Sequence, residues 1–240
     1  MKGMAAMDAI TRLGRGAYGV PEAARIAHLQ PIRVRRWLGG YDFKSPKGEV
    51  RHSGPVFPRE HDGAGVALTF MDLVEVLYVS AFLKAGVTMP TVRRVHDEAE
   101  RAFRVRHPFA IKKFETDGKS IFHRFTVNGT EHVQDRKLYQ LVIPQVFALM
   151  VKRLDFDSLT EEALRYWPLG RGKHVTIEPS RAFGEAVVGG GVPTRVIYKA
   201  VTRSGDSKER VARWYSISLA DVDAAIEYEK SLSSSPPRAA

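Results

Sequence analysis

The sequence contains no cysteine in its 240 residues. That excludes a disulfide framework, a thiolate zinc site and a cysteine nucleophile. No apolar run is long enough to cross a bilayer. No apolar block near the N-terminus has the form of a signal peptide. A cytoplasmic protein without a membrane partner is therefore expected. Signatures of catalysis are scarce as well. Gly189-Gly190-Gly191 lacks the spacing of both common phosphate-cradling loops and reads as a tight hairpin turn. No serine sits in a nucleophile-elbow sequence. His107, His123 and His132 share the middle of the chain with Asp117 and Asp135, but no two of these histidines have the i, i+4 spacing of helical metal ligands. Glu161-Glu162 suits the first turn of a helix, where the helix dipole favours negative charge. No catalytic residue, metal or cofactor is expected.

What is present in excess is positive charge. The net charge is +10, from 37 Lys+Arg against 27 Asp+Glu. Residues 1–60 hold 11 basic against 5 acidic residues, whereas residues 61–110 balance at 6 against 6. More than half of the excess thus lies in the first quarter of the chain. Concentrated positive charge is what binding to a phosphate backbone requires, through release of counterions.

That quarter contains the stretch YGVPEAARIAHLQPIRVRRW, Tyr18 to Trp37. Pro21 suits the first turn of a helix, where its missing N–H has no partner to lose. Ala23, Ala24, Ile26 and Ala27 give that helix an apolar face. The run breaks at His28-Leu29-Gln30, and Pro31 opens a second helix in which Ile32, Val34 and Trp37 are expected inward. Arg33, Arg35 and Arg36 then point outward. Guanidinium groups match phosphate and guanine edges well. Gly39-Gly40 ends the helix. Tyr41–Phe43 and Glu49–Arg51 form two strands about a Ser45-Pro46-Lys47-Gly48 turn, a hairpin that Lys44, Lys47, Arg51 and His52 would line.

The Tyr before the first helix and the "VRRW" ending the second resemble the helix-turn-helix of MerR-like regulators. His28 and Gln30 depart from the usual glycine and serine of that turn. Histidine tolerates a left-handed backbone comparatively well, whereas Gln30 is a poor cap and its missing bond costs on the order of 1 kcal/mol. The resemblance continues through LTFMDLVEVLYVSAFLKAGVTMPTVRRV. There one helix is expected from Phe70 to Leu83 or Lys84, and another from about Pro90 to Phe103 with Thr88 as its cap. Arg93 and Arg94 are open between phosphate contact and a solvated face. The resemblance implies a winged helix-turn-helix over 18–106, after a flexible arm over 1–17. It also implies a homodimer on operator DNA, with Tyr18, Arg33, Arg35, Arg36, Lys44, Lys47, Arg51 and His52 at the interface.

Residues 107–170 read as an α+β connector. FETDGKSIFHRFTVNGTEHV is expected as strands joined at Asp117-Gly118 and Asn128-Gly129, since such pairs are strong hairpin signals. Val142-Ile143 ends a further strand. Pro144–Arg153 is a helix with Val146, Leu149 and Met150 inward. Asp155–Trp167 is open between a helix and extended chain. Residues 171–230 read as a short strand at Val175–Ile177, a short β-hairpin around Gly184–Gly191 and three helices: Thr194 to about Thr202, a second capped by Ser207, and a third over Leu219–Glu229. Ser218 and Asp221 have capping-box spacing there, and Leu219, Val222, Ala225 and Ile226 are expected inward. Residues 231–240 form a low-complexity tail. The fold class is α+β, mainly α.

The C-terminal string AFGEAVVGGGVPT, Ala182 to Thr194, resembles a small bacterial family found beside PIN-domain ribonuclease toxins. The order of parts resembles the larger VapB-type antitoxins. The resemblance implies an antitoxin that neutralises a cognate PIN-domain ribonuclease and represses its own operon. Arg203, Arg210, Arg213 and Arg238 are the cations available to enter the acidic site of such a toxin. The alternative is a MerR-like transcriptional regulator that senses a small molecule in a pocket lined by Phe114, Phe122, Phe125 and Tyr139.

Overall fold

The computed structural model describes residues 18–57, 67–128 and 133–233, the side chains of 123–141 excepted. The architecture is α+β and mainly helical. The chain divides into two compact units, one formed by Gly19–Leu68 and Asp72–Phe147 and the other built from Ala148 onward with Tyr18 and Thr69–Met71. Arg238, the arm before Tyr18 and the final residues of the tail lie outside the described residues. Among the described residues no helix is long and apolar enough to cross a membrane.

In the first unit, β1 (Tyr18–Gly19) leads into α1 (Val20–Ile26), and α2 (Pro31–Gly39) packs against α1. The backbone between them turns at His28, with φ 54°, the left-handed geometry that the turn demands. Gln30 makes no side-chain cap to α2. Two strands follow, β2 (Tyr41–Lys44) and β3 (Val50–Ser53), paired antiparallel from Tyr41↔Ser53 to Lys44↔Val50. β4 (Ala67–Leu68) pairs with β1. α3 (Phe70–Lys84) and α4 (Met89–Phe103) come next, and the Thr88 hydroxyl accepts from the Thr91 N–H to cap α4.

The next segment differs from its sequence reading. Lys112–Asn128 is one helix, α5, and not a set of strands. Asp117 and Gly118 lie within it. Phe114, Gly118, Ile121 and Phe122 are buried, and their spacing is that of one helical face. Gly118 is the small residue of that face: a Cβ there would stand 2.8 Å from the Phe114 ring and 2.8 Å from Phe147. The local turn signal loses to tertiary packing. The proposed strand at Val142-Ile143 is likewise helical, inside α6 (Val133–Val151), and Pro144 lies within that helix instead of opening one. Leu149, expected inward, is exposed, while Val146 and Met150 are buried.

Aromatic rings fill the interior of this unit. Phe109 stacks on Phe114 at 4.4 Å, Phe82 meets Phe122 at 4.7 Å, and Phe147 reaches Phe114 at 5.2 Å. Phe114 and Phe122 are thus core residues. Within this shell lies an ion pair: His96 Nε2 stands 2.8 Å from Glu75 Oε2. The other Glu75 oxygen accepts a hydrogen bond of 3.0 Å from the Phe109 N–H. Burial would lower the His96 pKa, but the Glu75 carboxylate, with smaller help from Glu100 and Asp97, leaves it raised.

In the second unit, Asp155–Trp167 is strand and turn and not a helix. β5 (Leu154–Phe156) pairs with β6 (Ala163–Tyr166), and β7 (Thr176–Ile177), β8 (Ala186–Val188) and β9 (Val192–Pro193) complete a five-stranded antiparallel sheet in chain order. The strand expected at Val175–Ile177 is β7, the glycine-rich hairpin is β8–β9, and β5 and β6 extend the sheet beyond what the sequence predicts. Between β5 and β6 the Asp157 carboxylate accepts from the N–H groups of Leu159 and Thr160, at 2.8 Å each. Glu161 follows with φ 58°, so Glu161-Glu162 belongs to a turn and not to a helix. The turn between β8 and β9 is Gly189–Gly191. Three helices follow, α7 (Thr194–Thr202), α8 (Lys208–Tyr215) and α9 (Leu219–Ser233). Ser207 caps α8, accepting from the Arg210 N–H. At the start of α9 the Asp221 N–H donates to Ser218 Oγ at 3.1 Å, and the Ser218 N–H donates back to Asp221 Oδ2 at 3.1 Å, the reciprocal capping box. Leu219, expected inward, is exposed, and the helix runs past Glu229.

Two outcomes follow from this packing. Gly118→Ala should destabilise the protein by about 1–3 kcal/mol through overpacking, although alanine is ordinarily the better helix former. Urea denaturation checks this, and a more stable variant would contradict the packing described. The buried ion pair sets the second. A histidine held above its ordinary 6.5 stabilises fully below that value and loses its contribution as pH rises through the raised value. The urea midpoint should therefore fall as pH rises above the ordinary histidine value of 6.5. Glu75→Gln should cost about 3–5 kcal/mol and flatten that fall.

Candidate nucleic-acid interface

The cationic surface begins with α2. Val34, Trp37 and Leu38 are buried and anchor the helix, while Arg33, Arg35 and Arg36 are exposed. Ile32 departs from expectation: it is 46% exposed and turned away from the core. Two guanidinium groups are braced by aromatic rings. Arg33 lies 5.8 Å from the Trp37 ring centroid and Arg36 lies 4.7 Å from that of Tyr41. Such cation–π contacts hold a long side chain in place at an exposed site for about 0.5–1 kcal/mol.

The hairpin is fixed relative to α2 by the backbone. Gly40 adopts φ +73°, and a Cβ there would stand 2.7 Å from the Ser53 carbonyl oxygen, so only glycine lets β3 approach the end of α2 this closely. Beyond the hairpin, the Val56 N–H donates to the Trp37 carbonyl at 2.7 Å. Arg93 on α4 donates to the Gly54 carbonyl at 2.7 Å, so this arginine clamps the chain leaving the hairpin. At the other side, Ser80 and Lys84 of α3 both donate to the Ala27 carbonyl at 3.3 Å. The turn between α1 and α2 is thereby tied to a buried helix.

The sequence candidates on the hairpin lie on both of its faces: Arg51 sits across from Phe43, whereas Lys44 and His52 alternate onto the opposite face. Lys44, Lys47, Arg51 and His52 are exposed on the hairpin. Arg51 pairs with Glu49 at 3.2 Å, which offsets part of its charge, and His52 Nδ1 stands 2.7 Å from Asp42 Oδ1. Tyr18 is 1% exposed, so its ring is part of the interior and not of the cationic face. Phosphate oxygens and base edges are the groups that an outward arginine helix with a basic hairpin can contact.

In the second unit, Arg203, Arg210 and Arg213 are exposed. Arg210 is partly engaged, 3.3 Å from Asp206 and 5.7 Å from the Trp214 ring centroid. The sequence reading overlooked Trp214, which is 61% exposed. Its i, i+4 spacing from Arg210 was the available signal. Phe183 was also missed; it is 74% exposed with φ 56°, a backbone geometry rare for an aromatic residue. As for metal ligation, His96, Asp97 and Glu100 bring potential ligand atoms within 4.8 Å of one another, but His96 Nε2 already faces Glu75.

Comparison with known proteins places these features among relatives. Residues 175–228, spanning β7 to most of α9, match the family described as "Protein of unknown function (DUF433)". The chain is 22% identical over 211 residues to "Putative antitoxin VapB45" of Mycobacterium tuberculosis, an alignment covering 83% of this chain and 88% of that protein. It is 23% identical over 233 residues to "Uncharacterized protein Rv2308" of the same organism, covering 93% and 94%. The crystal structure of Rv2018 from Mycobacterium tuberculosis superposes with a TM-score of 0.67 at 21% identity, covering 87% of this chain and 96% of that one. The chain therefore shares the fold of Rv2018.

Proposed function

We propose that this protein is an antitoxin that neutralises a PIN-domain ribonuclease and represses its own operon as a homodimer on operator DNA. The observation that carries the reading is the alignment with "Putative antitoxin VapB45", which covers 83% of the chain and so cannot lie within either unit alone. The match of the C-terminal segment to its family and the exposed arginines of α2 support it.

On this reading α1 and α2 are the helix-turn-helix of a MerR-like winged domain, and β2–β3 is its wing. α2 enters the major groove of each half-site, and its arginines meet base edges and phosphates. The hairpin cations meet the flanking backbone and position the domain without reading sequence. The second unit carries the toxin contact. Arg203, Arg210 and Arg213 are the cations there that can approach the metal-binding carboxylates of a nuclease, and Arg238 is a further candidate. The protein itself performs no catalysis. The small-molecule sensor draws no support from Phe114 and Phe122, which are occupied in the aromatic core.

Two measurements bear on this. Co-expression with the product of the adjacent gene should yield a stable complex in which that partner's ribonuclease activity is suppressed. Co-purification failure together with undiminished RNA cleavage would rule out the antitoxin role. For the DNA arm, binding to the protein's own promoter should be measured by fluorescence anisotropy across a salt series. Arg33→Ala or Arg36→Ala should cost ~1–3 kcal/mol and relax base preference. Arg35→Ala should weaken binding evenly across sequences and lower the salt slope by about 1. If all three variants keep both affinity and preference, α2 is not the recognition helix.

A further inference from the structure

The outward pole of α2 is not wholly cationic. Successive residues of a helix turn by about 100°. With Val34, Trp37 and Leu38 buried, the opposite direction falls between Ile32 and Arg36. Arg33 and Arg35 point to the two flanks. The side chain nearest the pole, in the first turn of the helix, is therefore a branched hydrocarbon that is 46% exposed. A single surface isoleucine ordinarily needs no explanation. Ile32 differs in its setting, because every other exposed long side chain of α2 is an arginine.

The N-terminal residues of a recognition helix are the ones that reach base edges in the major groove. An isoleucine there can neither donate nor accept a hydrogen bond. Of the four bases, only thymine offers it an apolar partner in that groove, the C5-methyl group. Arg36, one turn further along the same face, is braced on Tyr41 at 4.7 Å and suits the O6 and N7 acceptors of guanine. We propose that Ile32 is a specificity residue that packs on a thymine methyl group in each half-site, beside the base read by Arg36. The assignment rests on the DNA-binding reading above and adds the chemical identity of one base to it. Cytosine lacks the C5-methyl group and so offers Ile32 no such contact.

The test uses the full-length protein and a duplex that it selects from a random-sequence pool. Each thymine of that duplex is replaced singly by deoxyuridine, which removes only the methyl group. For the wild type, one position per half-site should lose about fourfold in affinity, the value of one buried methyl group. Ile32→Ala should bind the thymine duplex more weakly and lose nothing further at that position, while Ile32→Val should keep the sensitivity. Circular dichroism and sedimentation check that fold and oligomeric state are unchanged. A wild type indifferent to deoxyuridine at every position overturns the inference and leaves DNA binding intact. So does an Ile32→Ala variant with undiminished sensitivity. Loss of affinity through a broken dimer would assign Ile32 to a protein contact instead. Failure to select any duplex would remove the DNA-binding reading itself, and this inference with it.

Discussion

The Glu75 carboxylate is completely buried, with groups of the first unit gathered around it. One oxygen accepts the Phe109 N–H and the other faces His96. Burying a charge is costly unless it is paired and hydrogen-bonded. α3, α4 and the turn at Phe109 therefore cannot drift apart without stranding an ion in an aromatic interior. Phe109 meets the His96 ring edge-on at 5.0 Å and stacks on Phe114, so the polar contact and the aromatic packing share residues. Hydrophobic burial supplies most of the attraction here, whereas the ion pair makes one arrangement of the helices preferable to its neighbours.

This rigid group of helices bears directly on the cationic surface. α2 and the β2–β3 hairpin are small and contribute few buried side chains of their own. They are held by reach from the buried helices, with Ser80 and Lys84 of α3 on the Ala27 carbonyl and Arg93 of α4 on the Gly54 carbonyl. Each bond caps a backbone acceptor at a turn, where the chain would otherwise be free to move. The arginines of α2 thus project from a helix anchored by its own Val34, Trp37 and Leu38 and flanked by these bonds from α3 and α4. Pre-organisation of this kind lowers the ordering cost of association.

Much of this was legible from local signals. His28 in the turn, Gly40 after α2, Thr88, Ser207 and the Ser218–Asp221 pair all act where the sequence placed them, because caps and turns depend on residues within a few positions of one another. The helix at Lys112–Asn128 was not legible. Asp117-Gly118 carries a genuine turn signal, and only the distant Phe147 makes clear why a glycine is needed inside a helix. The β5–β9 sheet was read in part, since pairing across tens of residues leaves no local trace. Ile32 is exposed against expectation because the rule that hydrophobic residues lie inside runs one way, and single surface positions break it. The arginines of the site were visible at once, but their bracing by Trp37 and Tyr41 required the fold.

The glycine turn of the second unit carries a consequence for how that unit holds together. A Cβ on Gly189 would stand 2.9 Å from Asp221 Oδ2, the same oxygen that accepts from the Ser218 N–H. The bare backbone of the β8–β9 loop is thus the wall against which the first turn of α9 is capped. Sheet and helical layer meet here as well as at the start of α7, where the Thr194 hydroxyl after β9 donates to Glu229 of α9. Strands this short would fray as isolated pairs. Joined to α9 in this way they belong to one cooperative unit, which opens as a whole and not strand by strand.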